Sequence, residues 1–69
     1  MLEIIKYGTS KYGRVWIIGS IKYQGFEIFD LFNTNLTDES VLNDKTNIKF
    51  KTFKISRNRD GKVLFNLEF

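Results

Sequence analysis

The chain has 69 residues, a formal charge of +3, and neither cysteine, histidine nor proline. Those absences exclude a disulfide framework, a thiolate zinc site, a cysteine nucleophile and the side chain most used for acid–base work. The length of 69 residues allows one small domain, residues 1–69, and no second one.

Ordering so short a chain costs on the order of 100 kcal/mol of conformational entropy. Apolar burial has to offset that cost, and seven Phe, three Tyr and one Trp are its largest contributors. Either nearly all of them pack into one core, or the core is completed by a second copy. The segment from Met1 to Lys6 lacks the basic stretch and apolar run of a secretory leader. No apolar run reaches the roughly 18 residues that a membrane span needs. The expectation is a cytoplasmic chain that engages no membrane. Its excess of Lys, Asn, Ile and Phe, residues of AT-rich codons, fits a low-GC bacterium, a phage or a mobile element.

Periodicity of two runs through the chain. A first strand is expected over Leu2 to Tyr7, followed by the turn-rich Gly8-Thr9-Ser10-Lys11-Tyr12-Gly13. A second, Arg14 to Tyr23, sets Val15, Ile17, Gly19, Ile21 and Tyr23 on one face and Trp16, Ile18, Ser20 and Lys22 on the other. Gln24-Gly25 then makes a two-residue turn into a third strand, Phe26 to Phe32. That register pairs Tyr23 with Phe26, Ile21 with Ile28, and the opposite charges of Lys22 and Glu27. Trp16, Ile18, Phe29 and Leu31 make the second face apolar as well, so both faces call for cover.

The connection from Asn33 to Asn47 holds a short helix over Asp38 to Asn43, capped by Thr37 or Asp38. Beyond it the apolar phase changes: Ile48 and Phe50 are even-numbered, Phe53 and Ile55 odd. One strand holds both sets only with a bulge or bend near Lys51-Thr52. Asn58-Arg59-Asp60-Gly61 reads as a type I turn with Gly61 in a left-handed G1 bulge. It pairs Arg57 with Val63, Ile55 with Phe65 and Phe53 with Leu67, bringing the apolar residues of both strands onto one face. The order β-β-β-α-β-β describes an all-β domain with one short helix and matches a small five-stranded OB-like barrel. An SH3-like barrel, whose helix usually comes near the end, is the close alternative. A sheet of strands swapped in a dimer is the third.

Chemistry is sparse. Asp30 falls on the Ile28/Phe32 face opposite Gly19, where a buried carboxylate would be a site candidate. The competing position is a barrel rim or a cap for the following loop. Ser10, Ser20, Ser40 and Ser56 have no histidine partner, and Asp38, Glu39 and Asp44 lack the alternation of a calcium loop. The expectation is a protein that is no enzyme and needs no cofactor.

Charge is the strongest functional signal. From Lys49 to Lys62, six basic residues (Lys49, Lys51, Lys54, Arg57, Arg59 and Lys62) face Asp60 alone, while Gln24 to Asp44 holds five acids and no base. Lys11, Tyr12, Arg14 and Trp16 add cations and rings at the first loop, and Tyr7 and Phe50 are further candidates for exposed rings. Complementary acidic and basic surfaces suit a protein partner, as in an accessory or inhibitor protein of phage or mobile-element type; a second copy of the chain would also fit. The alternative is single-stranded nucleic acid, with phosphates on the 49–62 cations and bases stacked on the rings.

Overall fold

The computed structural model describes residues 2–43 and 49–69. Its strands are β1 (Leu2–Thr9), β2 (Val15–Tyr23), β3 (Phe26–Thr34), β4 (Thr52–Arg57) and β5 (Val63–Glu68), with a 3-10 turn at Glu39–Leu42 between β3 and β4. All five form one sheet in the order β1-β2-β3-β5-β4. Neighbours run antiparallel except β3 and β5, which are parallel. Among the described residues the sheet is not closed, and β1 and β4 are its outer strands. A radius of gyration of 11.7 Å is close to the about 11 Å expected of a compact domain this long.

Both hairpins keep the register expected of them. Gln24 and Gly25 have φ of +49° and +88°, the left-handed pair that a type I′ turn requires. Behind them Tyr23 meets Phe26, Lys22 meets Glu27 and Ile21 meets Ile28. In the last hairpin Gly61 has φ +79°, and its N–H donates to the Asn58 carbonyl at 3.0 Å. The Asn58 side-chain oxygen accepts from the N–H groups of Asp60 (3.0 Å) and Lys62 (2.9 Å). Asn58→Ala removes both acceptors, and we expect it to lower stability by about 1 kcal/mol in urea denaturation. An unchanged midpoint would show that the turn holds without them. Leu64 departs from expectation: it pairs with Ser56 on the face opposite Phe65 and Leu67.

Two irregularities bend the sheet. At Lys51 the chain bends ahead of β4, with the Lys51 N–H on the Glu68 carbonyl, so Phe50 precedes the strand. Ile48, the other even-numbered member of that phase change, lies outside the described residues. The second irregularity is in β1, where the register slips between Ile4 and Lys6 and leaves Ile5 as the extra, exposed residue.

The core lies on one face. Val15, Ile17, Ile21, Phe32 and Leu67 are buried there, and Leu42 of the 3-10 turn closes over them. Tyr7, Tyr23, Phe50, Phe53 and Phe65 pack around that centre. Tyr7 and Phe50 are therefore half-buried core rings, not the exposed ones their sequence context allowed. The expected helix is reduced to one turn with Asp38 as its cap, accepting from the Ser40 N–H at 2.9 Å. That backbone bond and the Ser40 hydroxyl hold the Asp38 carboxyl below the ordinary carboxylate range.

Candidate binding face

Alternation along the strands sorts every side chain to the core face or the outer face. On the outer face Ile18 stands opposite Leu31 across β2 and β3. Leu64 of β5 stands one step before Phe65, the partner of Phe32, so it extends the same row. Trp16 and Phe29 stand above and below it, opposite Asn33 and Ser20. Phe29 is 65% exposed and Leu31 44%; Ile18, Trp16 and Leu64 are half-buried. Five large apolar side chains on three adjacent strands thus face away from the core.

Trp16 keeps part of its surface covered because β1 has no side chain at Gly8. A Cβ there would meet the indole Cζ2 at 2.6 Å, so the ring lies flat over the β1 backbone. Lys6 pairs with Ile18 on the β1 side of the row, and the Lys22–Glu27 pair closes its lower end.

Two loops with cations flank this face. Between β1 and β2, Ser10 folds the loop: its N–H donates to the Arg14 carbonyl at 2.8 Å, and its carbonyl accepts from Gly13 at 2.9 Å. The Ser10 hydroxyl also accepts from the Tyr12 and Arg14 N–H groups. Tyr12, 80% exposed, therefore stands on an ordered loop, with the Lys11 ammonium 5.2 Å from its ring centroid. Between β4 and β5, Arg59 lies in the turn, and Lys62 lines a notch beside Asp30, Leu31 and Leu64.

The remaining basic residues are spread over several surfaces. Lys49 and Lys51 are exposed ahead of β4. Lys54 is on the outer face, 3.6 Å from Glu68, and shares a shallow groove with Arg14, Asn35 and Asn66. Arg57 occupies a core-face position at the exposed end of β4. The acids separate likewise. Glu39 sits on the 3-10 turn and is held against β1 by the Thr9 hydroxyl at 2.6 Å. Glu27 and Asp30 stand on β3, and Asp44 lies outside the described residues.

Asp30 takes the open position of the two that its sequence context allowed. It does stand opposite Gly19 on the core face, yet it is exposed, because β5 joins β3 only from Phe32 onward. No strand covers Asp30, and its carboxylate accepts from the Leu31 N–H at 2.7 Å. A buried acid is excluded. The residues that sequence reasoning left out of the site are Ile18, Phe29, Leu31 and Leu64. Three of them were visible as the apolar residues on the second face of β2 and β3.

Compared with protein-family models, curated proteins and solved structures, the chain matches none. No helix among the described residues is long and apolar enough to cross a membrane.

Proposed function

We propose that this chain is a small non-catalytic binding module that engages a protein partner through the outer face of β2 and β3. The observation that carries the reading is the apolar row Ile18–Leu31–Leu64, open to solvent between Trp16 and Phe29. A contiguous apolar patch with a polar rim is the usual mark of a contact surface. Lys6, Arg14 and Lys62 at its margins favour a partner whose apolar anchor is framed by carboxylates.

The finer architecture supports the same face. We read the strand order, the parallel β3–β5 pair and the short helical turn between β3 and β4 as an OB-type Greek key left open between β1 and β4. An SH3-like arrangement would carry its helical turn near the end of the chain. In OB-type domains the β2–β3 face and the loops β1–β2 and β4–β5 form the ligand cleft. That is analogy of fold, and the function rests on the side chains.

Single-stranded nucleic acid is the second reading, favoured by the exposed Tyr12 ring and by cations in both flanking loops. One variant separates the two readings. Phe29→Ser with Leu31→Ser alters exposed positions only, so the thermal midpoint should stay close to that of the parent. Capture of a partner protein from lysate should fall at least tenfold, since each anchor lost is worth about 1–3 kcal/mol. Equal capture by variant and parent would overturn the protein reading. Oligo-thymidine binding that quenches Trp16 and weakens steeply with salt would install the nucleic-acid one.

A further inference from the structure

Two strand edges are open, and they match. Over Phe26 to Leu31, β3 is paired with β2 on one side only, because β5 joins it at Phe32. Among the described residues the far side of β4 is likewise without a strand. The open half of β3 and the whole of β4 are each six residues long.

Their chemistry is opposite in sign and similar in layout. The β3 edge carries Glu27 and Asp30 with Phe29 between them; β4 carries Arg57 and Lys54 with Ile55 between them. Phe29 and Ile55 are exposed to 65% and 59%, unusually open for large apolar strand residues. Laid antiparallel in a single register, Glu27 meets Arg57, Phe29 meets Ile55 and Asp30 meets Lys54, with Ile28 opposite Ser56. Glu27–Arg57 and Phe29–Ile55 then share one face of the extended sheet, and Asp30–Lys54 falls on the other.

We propose that the chain self-associates by strand addition, β4 of one copy pairing antiparallel with the open edge of β3 in the next. The symmetric alternatives are weaker. Antiparallel β3 against β3, in the register that pairs Glu27 with Asp30, opposes acid to acid, and β4 against β4 opposes only cations. A notch lined by Asp30, Leu31, Lys62 and Val63 lies between β3 and the start of β5 at the end of this open stretch. Because the two edges differ, the contact is head-to-tail. Each added copy leaves one edge of each kind open, so assemblies grow with concentration unless the rotation closes a ring. The contact shares Phe29 with the proposed docking face and none of its other apolar residues.

Charge exchange tests this without altering any apolar residue of that face. Sedimentation velocity of the parent should show an average mass that rises from micromolar to millimolar protein and falls with added salt. Two variants, Glu27→Lys with Asp30→Lys and Lys54→Glu with Arg57→Glu, should each stay monomeric to about tenfold higher concentration. Mixed one to one, they should associate again, because acid then meets base at every junction. That rescue also shows that both variants are folded. A parent that stays monomeric at millimolar concentration, or a mixture no more associated than its components, would overturn the proposal.

Discussion

Gly19→Ala is expected to prevent the native fold or to reduce its stability by about 3 kcal/mol or more. Gly19 stands on the core face of β2, opposite Ile4 on one side and Asp30 on the other. A Cβ at this position would fall on the Glu3 carbonyl oxygen, with the Glu3 carbonyl carbon and the Ile4 Cα each at 3.1 Å. These are backbone atoms of a paired strand, and no rotamer change removes them. The close approach belongs to the bulge in β1, where the strand bends over β2 between Ile4 and Lys6. Alanine would push β1 away and open the core at Leu2 and Ile4, both packed on its edge. A domain of this length holds on the order of 3–10 kcal/mol in total. Urea denaturation with far-ultraviolet dichroism would read the loss. A midpoint within error of the parent would mean that β1 does not approach β2 as closely as described.

What the sequence made legible was local. Gln24-Gly25 and Asn58-Arg59-Asp60-Gly61 carry their own turn chemistry, and once the turn is placed the alternation fixes each register. The bend at Lys51 was legible for the same reason, since a change of apolar phase cannot be absorbed by a straight strand. The same signal stands in β1, where Leu2 and Ile4 are even-numbered and Tyr7 is odd. With two apolar residues side by side at Ile4-Ile5, the strand reads as continuous unless that phase is followed through to Tyr7, and the bulge is hidden. The parallel pairing of β3 with β5 leaves no local trace. It joins residues about thirty positions apart, Phe32 with Phe65, through a connection whose turn chemistry says nothing of direction.

The site followed the same division. Lys11, Tyr12, Arg14 and Lys62 could be named from charge and ring content, because loops expose what they carry. Phe29 and Leu31 could not be told from core residues, because an apolar residue in a strand has the same alternation whether the other side is covered or open. Only the sheet order decides it. With β5 joining β3 late and β1 and β4 remaining at the edges, nothing described packs over the outer face of β2 and β3. The apolar second face that called for cover in the sequence is the feature on which the functional reading rests.

Phe32→Ala should be the most damaging of the core truncations. Phe32 is fully buried and stands in the short stretch of β3 that is paired on both sides, with Ile17 of β2 and Phe65 of β5. Its ring meets Phe53 edge-on at 6.2 Å and Phe65 at 6.1 Å, and those two stack on each other at 5.8 Å. Phe53 in turn meets Tyr23 at 5.6 Å, so the ring of Phe32 anchors a chain of contacts reaching the first hairpin. Removing it leaves a void bounded by the strands β2, β3 and β5, whose mutual hydrogen bonds resist collapse. The expected loss is about 3–5 kcal/mol, comparable with the whole stability of a 69-residue domain. Phe65→Ala should cost less, since Phe65 is only half-buried and its void opens toward solvent. Parallel urea titrations of the two variants would rank them. A smaller loss at Phe32 than at Phe65 would place the centre of the core elsewhere than at the β2–β3–β5 junction.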